Sequence, residues 1–215
     1  MKRLVVMGVL FSLVLAGVGL VPVSFGDEKS PDKKPADKKA ADKKAPGNKA
    51  ADKTDAGAAG NVSVKIVDWE ETLEIVASHK GKIVVLDAWS TSCQPCMKEF
   101  PNLVKLHKRY ADKGVVCMSL SCDYQGIKNK PPAFYRERVI KFLEKQGAVF
   151  QNLMSSVEAE ELFEMMEVAS IPAVFVFGRD GELHKRFDNE QAKTEEDNFT
   201  YADVNRLVDE LLAAK

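Results

Sequence analysis

Two cysteines separated by two residues, Cys93-Gln94-Pro95-Cys96, carry the sharpest chemical signal in this chain. Sulfurs at this spacing open and close a disulfide when the first of them sits at a helix start. The free N–H groups of the first turn stabilise a thiolate there, and the second sulfur lies one turn away. The flanking residues supply that setting: Ile83-Val84-Val85-Leu86-Asp87-Ala88-Trp89 is a β-rich apolar run, and a helix-like segment beginning Met97-Lys98-Glu99 follows. The chemistry expected is thiol–disulfide exchange, with Cys93 attacking a substrate disulfide and Cys96 resolving the mixed disulfide.

Asp87 precedes Cys93 by six residues and sits inside the apolar run. Buried there, its carboxyl would have a raised pKa and could relay a proton for Cys96; at a strand end facing water it would do neither. Cys117 lies midway along another apolar run and reads as a small core residue. Cys122 follows near the carboxyl end of that run, where it is either a structural thiol or a third redox partner. In an extended chain Cys117 and Cys122 are roughly 16 Å apart, too far to pair with each other. That separation also opposes a zinc site built from the four cysteines. His79, His107 and His184 are isolated in the sequence, so no metal and no cofactor is expected.

The elements that must hold the dithiol alternate between strand and helix. Val62–Val67, Ile83–Trp89, Val115–Leu120, Ala148–Leu153 and Ala173–Phe177 read as strands. Arg179-Asp180-Gly181 is a turn signal that joins the last of these to Leu183–Phe187 as a hairpin. Between them, Trp69–Ser78 places Trp69, Leu73, Val76 and Ala77 at helical spacing. The helix behind Cys93 runs to Gly114 with Pro101 inside it. A helix after Pro131-Pro132 carries Phe134, Val139, Phe142 and Leu143 to Gly147, and Val157–Met166 puts Leu162, Met165 and Met166 on one face. Thr200-x-x-Asp203 resembles a capping box, ahead of the stripe Val204, Leu207, Val208, Leu211, Leu212. Such alternation implies an α/β domain: a central mixed sheet, mainly parallel, flanked by helices on both faces.

The first 60 residues are of another kind. Lys2-Arg3 followed by the apolar stretch Leu4–Val23, then Ser24-Phe25-Gly26, reads as an export segment over residues 1–26, either a cleaved signal peptide or a retained membrane anchor. Residues 27–60 repeat Asp-Lys-Lys with Ala and Pro and contain no Leu, Ile, Phe, Trp or Tyr, so a solvated linker is expected. Residues 61–215 then form the folded domain. The positive-inside rule places that domain outside the cytoplasm, periplasmic, secreted or held at a membrane. Lys and Arg number 31 against 32 Asp and Glu, a net charge of −1 that gives nucleic acid no basis for binding.

Asp87-Ala88-Trp89-Ser90-Thr91-Ser92-Cys93-Gln94-Pro95-Cys96-Met97-Lys98-Glu99-Phe100-Pro101 resembles the active-site segment of thioredoxin-fold proteins, in particular the exported TlpA/ResA-like group. Ser170-Ile171-Pro172-Ala173 resembles the loop whose cis proline lies against the dithiol in that fold, and Phe177-Gly178-Arg179-Asp180-Gly181-Glu182 the hairpin after it. Pro132–Leu153 is similar to the helix–strand insertion of the same group. The resemblance implies a thioredoxin-like fold and a protein-disulfide oxidoreductase with a redox disulfide Cys93–Cys96. Its catalytic residues would be Cys93, Cys96, Asp87 and Pro172, and substrate would meet Trp89, Ser92, Gln94, Pro95 and Ile171, with Trp89 packing beneath the dithiol. It further implies protein disulfides or dithiols as substrates, a membrane electron donor, and reducing work such as cytochrome c maturation. Ser92 departs from the pattern, since the group usually has an aromatic residue there. The other functions considered are a redox-inactive peptide-binding adaptor of the same fold and, on the cysteine count, a zinc domain; a peroxidase would need a lone peroxidatic cysteine in a different motif.

Overall fold

The computed structural model describes residues 62–214 of the 215-residue chain. The export segment and the linker expected over residues 1–26 and 27–60 lie outside the described residues. Within residues 62–214, no helix is long and apolar enough to cross a membrane.

Strand β2 (Ile83–Trp89) lies at the centre because all seven of its residues are apolar or, at Asp87, tolerably buried, and every one is shielded from water. It pairs in parallel with β3 (Val115–Ser121), Asp87 standing opposite Ser119, and antiparallel with β5 (Ala173–Phe177). Outward from β3 come β4 (Gln151–Ser155) and β1 (Lys65–Val67), both parallel; outward from β5 comes β6 (Leu183–Phe187), antiparallel. The order is β1-β4-β3-β2-β5-β6, a mixed sheet.

Helices cover both faces, and this is what lets β2 and β3 be apolar throughout. On one face, α2 (Gln94–Tyr110), α3 (Pro132–Gln146) and α5 (Tyr201–Ala213) pack against Ile83, Val85, Trp89 and Cys117. On the other, α1 (Trp69–Ala77) and α4 (Ala159–Met165) cover Val84, Leu86, Ala88, Met118, Leu120 and Cys122. The α/β class and the helix–strand insertion, α3 and β4, are as expected.

Several details differ from the periodicity. Strand β4 begins at Gln151, because Ala148 to Phe150 complete the turn after Gly147, whose φ of 66° is a left-handed helix end. Leu73, Phe134 and Met165, expected in the core, are exposed at 38%, 57% and 45%. The first two helices turn Thr72 and Tyr135 inward instead, a rotation of about 100° per residue that a helical period alone does not resolve in short segments. Towards the end of α4, Leu162 and Met166 are buried as expected while Met165 is not. The capping box at Thr200 forms, its side chain and backbone both bonded to Asp203.

Candidate active site

The strand-to-helix junction does what the spacing requires. Cys93 is the N-cap of α2, with extended backbone (φ −95°, ψ 101°), and its sulfur accepts a hydrogen bond from the Cys96 amide at 3.2 Å. Pro95 sits in the first turn, where its missing N–H costs nothing. Cys93 and Cys96 are joined in a disulfide, their Cα atoms 5.3 Å apart. Their exposures differ: Cys93 is partly exposed while Cys96 is buried, so an incoming molecule reaches the first sulfur only. Gln94, Pro95 and Ser92 are exposed around it.

The loop before β5 meets the disulfide from the other side. Ile171–Pro172 is a cis peptide bond, and Cys93 Sγ lies 3.7 Å from the Ile171 carbonyl oxygen. Ile171 precedes the first ladder residue of β5, Ala173, which pairs with Ala88. Among the described residues the Ile171 peptide makes no backbone–backbone hydrogen bond.

Trp89 is fully buried, packed on Phe100 and Phe142 with ring centroids 4.8 and 4.6 Å away. It shares a buried cluster with Cys96, and a ring with no exposed surface offers nothing to a substrate, which corrects its assignment as a contact residue.

Asp87 is buried in β2, the strand that leads to Cys93, and burial pushes its carboxyl up to about 7 from an ordinary 3.8. A hydrogen bond donated by the Tyr201 hydroxyl opposes that rise, and the negative charge of Glu99 adds to it. The solvent-facing alternative for Asp87 is thereby excluded. Neither Tyr201 nor Glu99 was singled out by the sequence. Glu99 stands three residues after Cys96, on the same face of α2, so helical spacing could have found it. Tyr201 falls on the α5 stripe with Val204 and Val208, which signals burial but not its partner 114 residues away.

A second buried carboxylate, Asp123, went unnoticed in the sequence as well. It accepts from the Thr91 amide at 3.0 Å, the Thr91 hydroxyl, the Ser121 hydroxyl at 2.7 Å and Arg138 Nε at 3.0 Å. It therefore ties the loop ahead of Cys93 to the end of β3 and to the inserted helix α3. The Ser90 and Ser92 hydroxyls pair at 2.8 Å within the same loop.

Cys117 and Cys122 lie on opposite faces of the sheet, because they are an odd number of residues apart around a strand. Four sulfurs therefore do not converge, and the zinc arrangement does not form. Cys122 is buried against α1 and α4, away from the helix bearing the dithiol, which favours the structural thiol of the two alternatives. Burial raises both thiols, Cys117 to about 12 and Cys122 further.

A disulfide capping a helix behind a central strand, a buried carboxylate in that strand and a cis-proline loop against the disulfide define a thiol–disulfide oxidoreductase of the thioredoxin-like fold. The chain belongs to the AhpC/TSA family, whose model matches residues 46–186. Among curated proteins it is 29% identical over 137 residues to the thiol-disulfide oxidoreductase ResA of Bacillus thuringiensis subsp. konkukian, covering 62% of this chain and 70% of that one. It is 56% identical over 55 residues to the thioredoxin-like protein YneN of Bacillus subtilis, covering 26% of this chain and 31% of that protein. Among solved structures, a thiol:disulfide interchange protein from Chlorobium tepidum TLS matches with a TM-score of 0.48 and 22% identity, covering 64% of this chain and 84% of that one. The match to ResA agrees with the TlpA/ResA-like resemblance.

Proposed function

We propose that this protein reduces disulfides in extracytoplasmic proteins, drawing its electrons from a membrane partner. The observation that carries the reading is the unequal exposure of the two sulfurs. Cys93, accessible and hydrogen-bonded to a helix-terminal amide, is built to attack; Cys96, buried beside it, is built to resolve. Asp87 takes the Cys96 proton as resolution proceeds, a role its burial supports because a carboxyl near neutrality both accepts and returns a proton at working pH. The free backbone of Ile171 pairs with an extended substrate chain beside Cys93, while Ser92, Gln94 and Pro95 form the exposed rim. The apolar stretch after Lys2-Arg3 and the linker behind it favour an exported or membrane-held protein. Cytochrome c maturation is one fitting task for such a reductant.

The test is trapping. The Cys96→Ser variant, exposed to oxidised substrate proteins, accumulates mixed disulfides through Cys93, and Cys93→Ser forms none and fails to reduce insulin. A Cys93→Ser protein that still reduces insulin would overturn the assignment of roles. The potential of the pair decides direction: a value around −270 mV supports a reductant, one around −120 mV an oxidant.

A further inference from the structure

We propose that Tyr201, in the first turn of the C-terminal helix, is a positioning residue for the resolving step: its hydroxyl holds Asp87 Oδ2 so that Oδ1 receives the Cys96 proton. This rests on Asp87 acting as the relay. Tyr201 lies beyond the span matched by the family model, so the match says nothing of it.

The geometry behind the inference is specific. The hydrogen bond from Tyr201 is the one that reaches the Asp87 side chain among the described residues, and both groups are buried. The hydroxyl has no other acceptor there, and an unbonded carboxylate at this depth would be costly to ionise. Helix α5 is itself pinned. Tyr110 of α2 donates to Asp209 at 2.8 Å, and Arg179 Nη1, from the β5–β6 turn, bonds the carbonyls of Leu211 at 2.6 Å and Ala214 at 3.0 Å. The Thr200–Asp203 capping box fixes the other end, next to Tyr201. The phenol is thus delivered to Asp87 by a helix held at its start, middle and end.

In the step itself, the mixed disulfide joins Cys93 to the substrate sulfur. Cys96 loses its thiol proton to Asp87 Oδ1, and its electron pair forms a bond to Cys93 Sγ. The bond from Cys93 to substrate breaks, and its electron pair leaves on the substrate sulfur, which takes a proton from water. The dithiol is oxidised by two electrons and the substrate disulfide reduced by two. A hydrogen bond donated to the ionised carboxylate makes Asp87 available as a base at lower pH than it would otherwise be. The other ionisable groups that feel the Asp87 charge are Glu99 from α2, Cys117 from β3 and Cys122 just beyond β3; Glu99 is held by Asn102 Nδ2 at 2.9 Å.

The experiment mixes the reduced full chain with Ellman's reagent in a stopped-flow instrument. The first thionitrobenzoate released reports attack by Cys93, and the second reports resolution by Cys96. Plotted against pH, the rate of the second phase has a midpoint set by Asp87. Tyr201→Phe, which keeps the ring and loses the hydroxyl, moves that midpoint up by about one pH unit, a tenfold change in the proton equilibrium. It leaves the first phase unchanged. Replacing Tyr201 by a fluorinated tyrosine, a stronger donor of the same shape, moves the midpoint down and serves should the Phe variant fold poorly. In an Asp87→Asn background the pH dependence is gone and Tyr201→Phe adds nothing. If Asp87→Asn keeps the wild-type profile, the relay reading falls and this inference with it. If Asp87→Asn abolishes the profile while neither Tyr201 variant shifts it, the inference about Tyr201 alone is overturned.

Discussion

Replacing Asp87 by Asn makes the protein more stable above neutral pH and slower in its chemistry. Unfolded, an Asp carboxyl ionises near its ordinary 3.8; in the native domain burial holds it at about 7. Between those values the native state keeps a proton that the unfolded chain has released. Stability therefore falls as pH rises through this window, since native protein binds more protons than unfolded. The loss saturates above the folded value, at about three pH units or ~4 kcal/mol, an upper figure because Glu99 and Tyr201 share the site. Asn carries no proton to lose and can still accept from Tyr201, so the variant avoids the penalty. The assay is urea unfolding of the oxidised protein at steps from pH 4 to pH 8, read by circular dichroism. The two proteins unfold alike at pH 4. By pH 8 the variant's midpoint is higher by about 2 M urea, taking a slope of about 2 kcal/mol per molar. Over the same range its resolution of mixed disulfides slows. Parallel stability profiles from pH 4 to pH 8 would show that Asp87 is not proton-bound near neutrality, and the reasoning from burial would fail.

Thiol accessibility separates the four cysteines. In the reduced native protein at pH 8, iodoacetamide labels Cys93 first, while Cys117 and Cys122 stay unlabelled until denaturant is added, because burial raises both thiols and blocks approach; peptide mass spectrometry reads the outcome. Asp123→Asn removes the charge that accepts from Thr91, Ser121 and Arg138, and lowers unfolding free energy by roughly 2–4 kcal/mol, the lower end applying because Arg138 is itself 48% exposed. Insulin reduction slows in that variant too, since the loop before Cys93 loses its tether; unchanged activity with lowered stability would restrict Asp123 to folding.

The chemistry of this protein was legible in local sequence because each part of it is local. A helix start stabilises a thiolate within one turn, so Cys93-Gln94-Pro95-Cys96 behind an apolar strand suffices to name the reacting atoms. The layered architecture was accessible for a related reason: hydrophobic runs without alternation, such as Ile83–Trp89, need covering on both faces, and that demands a sheet between helix layers. The strand order β1-β4-β3-β2-β5-β6, by contrast, emerged only in the fold. Where the period was short or rotated, at Leu73, Phe134 and Met165, the same signal misplaced side chains by one position around a helix. What no local pattern held was how distant groups meet. Tyr201 reaches Asp87 across 114 residues, and Asp123 gathers Thr91, Ser121 and Arg138 from three elements. The odd spacing of Cys117 and Cys122 already parts them to opposite faces, but which helices cover each thiol is decided only in the fold. Proton affinity depends on the whole shell around a group, water excluded and partners supplied from every side. The sulfurs were therefore readable from their neighbours in the chain, whereas the acid–base setting that drives them exists only in the folded domain.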